Sequence, residues 1–256
     1  MVWVLLDIWF VLENGQKRFK IPIFSIDYRT APENQFPACL EDCWNAYKWI
    51  INYGSKHLKI DPSKVILIGD SAGGNLILGI TILCIVTNFR KPDKLILGYP
   101  ALDLSLNRFY PSLMNGLNDI LLNFNVMKFM RDKYVGEENN PDTDPLISPI
   151  VVSDEILWQF PRTRIMTGTV DPIRDQSYRF LYRLLKLHWS VKFKEYLLFP
   201  HGFLNMMTPI SSLIGVEKAN NDVWKWINET IEANAKNRAF RKNKVVYSVN
   251  KQLYSF

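Results

Sequence analysis

The chain predicts an α/β domain: a mostly parallel sheet with helices packed on both faces. Three observations predict it. Strand-like and helix-like stretches alternate along most of the sequence. Several of the strand-like stretches, IPIFSIDY, VILIGD and KLILGYP, are short apolar runs, as in strands covered on both sides. With 256 residues, 48% hydrophobic and 22% charged, the chain is long enough and apolar enough to bury a sizeable core without disulfides or metals.

The elements follow in order. MVWVLLDIWFVL (1–12) contains Asp7, lacks a basic start and is followed by no small-residue cleavage site. It therefore fits a core-facing helix or strand better than a secretory signal. IPIFSIDY (21–28) is a short β-branched run and reads as a buried strand. FPACLEDCWNAYKWIINYG (36–54) sets Leu40, Cys43, Trp44, Tyr47 and Ile51 on one face of a helix that Gly54 ends. VILIGD (65–70) is a strand. SAGGNLILGITILCIVTN (71–88) is apolar nearly all round and reads as a buried helix. KLILGYP (94–100) and RTRIMTGTVD (162–171) are strands, and DQSYRFLYRLLKLH (175–188) is an amphipathic helix with Asp175 as N-cap. VKFKEYLLF (191–199) is a strand and 216–235 the last helix. Residues 101–161 break the alternation and read as an insertion folding over the sheet. The domain is thus expected at 1–235, with 236–256 as a separate tail.

Charge excludes some functions. The tail holds Lys236, Arg238, Arg241, Lys242, Lys244 and Lys251 and no acid, so the rest of the chain carries 25 basic and 25 acidic residues. A neutral body gives no footprint for nucleic acid. The tail reads as a solvated terminus or as a contact for an anionic lipid surface. Cys39, Cys43 and Cys84 make no disulfide framework, which suits a reducing, cytoplasmic location. His57, His188 and His201 show no metal-ligand spacing, and no cofactor or metal is expected. Asn228-Glu229-Thr230 is a glycosylation sequon on a helix and is expected to be unused.

Gly69-Asp70-Ser71-Ala72-Gly73 has the pattern G-x-S-x-G between a strand and a helix. A serine oxygen that must stand clear of a sheet needs a sharp turn, and glycines avoid clashes there. The helix directs its positive end at the turn, where the Ala72 N–H can meet a developing oxyanion. The alternatives are a phosphate-binding turn or a structural one. A serine hydroxyl needs a base, and in this setting the acid and base follow the serine in the chain. His201, just past a strand, fits the base. His188 lies at a helix end and His57 precedes the serine. Asp171, at the end of a strand, fits the acid better than the helix cap Asp175. Asp70 adjoins the nucleophile but points elsewhere when Ser71 points into the cleft.

PIFSIDYRTAPE, FPACLEDCWNAYKW, GDSAGGN, YPALD, DTDPLISP, DPIRDQS and PHGF occur in the order and rough spacing of one family. From about residue 21 to about 235 the chain resembles the hormone-sensitive lipase family of serine esterases, which have the α/β-hydrolase fold. The resemblance implies Ser71, Asp171 and His201 as triad, with Tyr28-Arg29 through Glu33 as a structural loop beside the site. It implies that 101–145 forms part of a substrate cap, and that Asp103 and Ser148-Pro149 are structural. Asp70, Gly202 and Phe203 are expected to touch substrate. Implied substrates are small-molecule or lipid esters of hydrophobic acids, including acylglycerols and sterol esters, with contact to a membrane or lipid droplet. Phe109, Leu113, Leu117, Leu121, Phe124 and Phe129 suit an acyl chain, or simply pack the cap. The family's HGGG motif, which supplies oxyanion donors, occurs nowhere in the chain. The expectation is an N-terminally incomplete hydrolase without its first strands and with a bare sheet edge. The second expectation is a binding protein on the same scaffold, and the third an interaction fragment with a basic tail.

Overall fold

A computed structural model of the chain describes residues 2–6, 21–105, 107–117, 119, 121–187, 190–206 and 215–232. Expectations for residues 7–12, His188 and the 236–256 tail lie outside the described residues.

Strands β1 (Val2–Leu6), β2 (Ile23–Ser25), β3 (Val65–Asp70), β4 (Lys94–Gly98), β5 (Arg162–Gly168) and β6 (Val191–Tyr196) form one sheet in the order β2-β1-β3-β4-β5-β6. Every adjacent pair is parallel. The register aligns the carboxyl ends: Leu6 pairs with Gly69, Asp70 with Gly98, Gly98 with Met166 and Gly168 with Tyr196. The turns leaving β3, β5 and β6 therefore emerge along one rim, where open parallel sheets place their sites.

Side chains alternate between two cores, as the pleat requires. Val65, Leu67, Leu95, Leu97 and Ile165 face one core, with α1 (Ala38–Leu58), α2 (Ser71–Val86) and α5 (Arg174–Lys186). Ile66, Ile68, Ile96 and Met166 face the other, with helix α6 (216–232) laying Val223, Trp226 and Ile227 against them. Helices cover both faces, so β3 and β4 are buried along their whole length. This is why they read as continuous apolar runs.

The expectations for 21–28 and for Gly54 need correction, while the opening run, read as helix or strand, is a strand. The opening apolar run supplies β1, an interior strand paired on both sides. The 21–28 run instead contributes only three residues at the sheet edge, half-buried to exposed, and an edge this short offers little for another chain to pair with. Gly54 does not end α1. The helix continues to Leu58 and stops at Lys59 in the left-handed region (φ 53°). Gly54 instead packs inside the helix beside the Ile60 side chain, whose Cδ1 a Cβ there would meet at 2.8 Å.

Between β4 and β5 the described residues contain no strand. They hold 3₁₀ turns at Pro111–Leu117 and Pro149–Val151, α3 (Phe124–Val135) and the short α4 (Asp154–Leu157). Asn123 caps α3 and Ser153 caps α4 by accepting from backbone N–H groups. Asp175 is not a cap, contrary to expectation: it sits inside the first turn of α5, whose N-cap is Ile173. Its carboxylate accepts from the Ser112 N–H (2.8 Å), while its own N–H donates to Ser112 Oγ (3.1 Å). The residue that looked like a helix start instead fastens the insertion to the domain. Among the described residues no helix is long and apolar enough to cross a membrane.

Candidate active site

Ser71 follows the last residue of β3 and opens α2 with φ 48°. A non-glycine residue in the left-handed region is strained by about 1–2 kcal/mol, and such strain clusters at functional sites. The surroundings hold it there. A Cβ at residue 69 would meet the Gly73 carbonyl oxygen at 2.5 Å, and one at residue 74 would meet Pro100 Cβ at 2.7 Å. The Ala101 N–H donates to the Ser71 carbonyl (3.1 Å). The Asn75 amide donates to the carbonyls of Ala101 and Ile147, each at 2.8 Å. No side chain caps α2, so its first-turn N–H groups, that of exposed Ala72 included, present their dipoles at the Ser71 turn.

His201 follows β6 on a turn that uses two left-handed residues, Leu198 (φ 62°) and Gly202 (φ 78°). That turn packs on the one leaving β5. The Leu198 N–H donates to Thr169 Oγ1 (2.7 Å) and the Val170 N–H to the Phe199 carbonyl (3.3 Å). Asp171, fully buried, accepts the Ile173 N–H on Oδ1 (2.8 Å) and faces His201 Nδ1 with Oδ2 at 2.9 Å. His201 Nε2 lies 2.8 Å from Ser71 Oγ. With its proton on Nδ1, held by Asp171, the imidazole offers the Nε2 lone pair to the serine hydroxyl. Burial on its own would lower the His201 pKa. The charge and hydrogen bond of Asp171, aided by the charges of Asp70 and Asp119, outweigh it and raise the value above that of an ordinary histidine.

A mainly apolar cavity of about 390 Å³ opens at Ser71 and Ala72, the size of a small-ligand pocket. Leu113, Leu122, Phe124 and Met127 from the insertion line it, as do Tyr28 and Pro32. Arg29 pins the segment holding Tyr28 and Pro32. Its guanidinium donates to both Asp42 oxygens on α1 (2.8 and 2.9 Å). Asp103 also borders the cavity but is spoken for, accepting from Arg108 (2.7 Å) and the Tyr110 hydroxyl (2.6 Å). Ser148 Oγ accepts the Leu104 N–H (3.0 Å). Of the six apolar insertion residues singled out from sequence, Leu113, Phe124 and Phe129 line the cavity, and Phe109, Leu117 and Leu121 do not.

The structure brings Ser71, Asp171 and His201 together and sets Ala72 beside them. It gives two of the other three expected site residues, Asp70 and Phe203, partners away from the cavity. Asp70 is buried and accepts from the Tyr99 hydroxyl (2.7 Å) and the Asn205 amide (3.1 Å). Phe203 is fully buried among Tyr99, Tyr196 and Phe199. Gly202 serves the turn. Neither these three nor His201 itself is among the residues lining the cavity. His57 lies on α1 against Trp49 and Tyr53. Sequence reading missed Asn75 as a brace, although it sits one helical turn after the serine. Among the described residues no group of three His, Cys, Asp or Glu side chains converges as metal ligands would.

Known proteins share this arrangement of strands. A family model described as the alpha/beta hydrolase fold matches residues 9–205. An arylesterase of Saccharolobus solfataricus is 31% identical over 168 residues, 64% of this chain and 52% of the arylesterase. Hormone-sensitive lipase of Mus musculus is 37% identical over 130 residues, 50% of this chain and 16% of the lipase. The chain thus spans about half of the first and under a fifth of the second. A solved hyperthermophilic esterase from the archaeon Pyrobaculum calidifontis superposes with a TM-score of 0.77 at 26% identity, covering 90% of this chain and 76% of that one. The chain belongs to the α/β-hydrolase fold family.

Proposed function

We propose that the chain is a serine carboxylic-ester hydrolase acting on hydrophobic acyl esters. The observation that carries this reading is the hydrogen-bonded series Ser71–His201–Asp171, with links of 2.8 and 2.9 Å. Ser71 Oγ attacks the ester carbonyl while His201 Nε2 takes its proton. The tetrahedral oxyanion meets the Ala72 N–H and the positive end of α2. Collapse expels the alcohol, which receives the proton from His201 and leaves an acyl-Ser71. Water, deprotonated by the same imidazole, then releases the acid. Asp171 stabilises the imidazolium in both halves. The apolar cavity suits an aliphatic or aromatic acyl group. Acylglycerols and sterol esters fit that chemistry, as does a cytoplasmic enzyme meeting its substrate at a lipid surface. The absent HGGG motif lowers the expected rate, because losing one oxyanion donor costs ~10²–10³-fold in turnover.

An intact triad, with Asp171 and His201 buried and Ser71 at the cavity, supports catalysis over binding alone. The test is labelling with a fluorophosphonate, followed by burst kinetics with p-nitrophenyl esters of rising acyl length. Stoichiometric labelling of the wild type but not of Ser71→Ala, with an alcohol burst, is the expected result. A folded wild type that neither labels nor shows a burst would overturn the proposal.

A further inference from the structure

Three residues outside the triad meet behind His201. Asp70 ends β3 directly before the nucleophile. Tyr99 follows β4 and Asn205 lies four residues after the imidazole. The Tyr99 ring packs edge-on against that of His201, with centroids 4.8 Å apart and planes at 61°. Its hydroxyl donates to Asp70 Oδ2 at 2.7 Å, and the same oxygen accepts the Asn205 amide at 3.1 Å. Tyr99 and Asp70 are only 1% and 3% exposed. The backbone enforces the contact. Tyr99 has φ 31°, and its N–H donates to the Met166 carbonyl at 2.7 Å. A Cβ at residue 98 would strike Leu204 Cδ1 at 2.7 Å and Asp70 Cβ at 3.1 Å, so the strand, the nucleophile turn and the 203–205 turn close on one another.

We propose that Asp70, Tyr99 and Asn205 are positioning residues for His201, a bracket that ties the turn carrying the imidazole to the strand leading into the nucleophile. Asp171 fixes the ring at Nδ1 but leaves it free to rock about that bond, and the Tyr99 ring limits the rocking. Asn205 stops the 201–205 turn from swinging out. Asp70 has a second effect, since its buried charge favours the imidazolium that forms as Ser71 gives up its proton. The titratable groups facing the imidazole are the carboxylates of Asp171, Asp70 and Asp119 and the Tyr99 phenol. This role rests on the esterase reading for its purpose, but not for its measurement.

The experiment is an NMR titration of the His201 imidazole in the full chain, beside the pH profile of kcat/KM, for wild type and Asp70→Asn. Asparagine keeps an acceptor for Tyr99 and Asn205 and removes the charge. The His201 titration and the acid limb of the profile are expected to move together to lower pH, while kcat falls more than KM changes. A well-folded Asp70→Asn protein with an unmoved His201 midpoint would overturn the proposed action of the Asp70 charge on the imidazole, and equal probe reactivity of Tyr99→Phe and Tyr99→Leu would overturn the bracket itself. A wild type inert to fluorophosphonate whose His201 midpoint nevertheless moves in Asp70→Asn supports the bracket and removes the esterase reading alone. Should Asp70→Asn not fold, Tyr99→Phe and Tyr99→Leu carry the test, because phenylalanine retains the ring against the imidazole. The phenylalanine protein is expected to react with the probe about tenfold faster than the leucine one, and equal rates would refute the proposal.

Discussion

Replacing Gly168 with alanine probes the junction on which the triad depends. Gly168 ends β5, and the chain then turns to deliver Asp171. Phe199 lies in the facing turn, two residues before His201. A Cβ at residue 168 would sit 1.9 Å from the Phe199 carbonyl oxygen and 2.6 Å from its carbon. Both are backbone atoms, so no side chain can swing aside. Restoring van der Waals contact forces the two turns apart by roughly an ångström or more. The Val170 N–H bond to Phe199 and the His201–Asp171 bond cross that same gap. Overpacking of this kind destabilises by about 1–3 kcal/mol, and an ångström of misplacement at a reacting group costs on the order of 10²-fold in rate. Gly168→Ala is therefore expected to lower kcat/KM about a hundredfold and the urea midpoint measurably. Gly54→Ala is the control. Its Cβ would meet only the movable tip of Ile60, and alanine regains up to ~1 kcal/mol of helix propensity. The assay is ester hydrolysis and fluorophosphonate labelling beside urea denaturation. Wild-type rates and stability in Gly168→Ala would refute the claim that these turns are closed on each other.

Other perturbations have defined outcomes. Ser71→Ala is expected to abolish probe labelling, and Asp171→Asn to lower kcat about 10⁴-fold through loss of the imidazole tautomer, both read against an unchanged circular dichroism spectrum. Because His201 must be neutral to act as base and its pKa is raised, kcat/KM should rise with pH through a limb above the ordinary histidine value. For stability the sign is opposite: the protonated imidazole favours the fold, and that contribution is fully present below the pH where an unfolded-chain histidine titrates. It is lost as pH rises through the folded value, which urea midpoints of wild type and His201→Gln across that window will read. Phe203→Ala removes a fully buried ring packed at 4.9–5.4 Å from three aromatic neighbours and should cost about 3–5 kcal/mol in denaturant titration.

The sequence revealed most where one physical signal dominated. VILIGD and KLILG are covered on both faces, so their apolar runs marked β3 and β4 closely. The serine turn announced itself because few residues besides glycine fit at 69 and 74. The opening run was ambiguous: five apolar residues without alternation suit a helix as well as a strand. Its insertion between β2 and β3 is a matter of strand order, which local pattern does not encode. Asp175 was misread as a cap because its partner, Ser112, is 63 residues away. Asp70 and Phe203 were placed against substrate by their nearness in the chain to Ser71 and His201. Their actual partners, Tyr99 for both and Asn205 for Asp70, come from other turns, and a strand's pleat sends neighbouring side chains to opposite sides.

The serine and the histidine are 130 residues apart, and the histidine and the aspartate 30. The imidazole arrives only after β6, so a ribosome must have released nearly the whole sheet before the hydroxyl gains its base. Contacts of such long separation form late and slowly. On the esterase reading, the first moment at which a refolding or nascent chain reacts with a phosphonate would timestamp the docking of β6, making probe reactivity a clock for that step of folding.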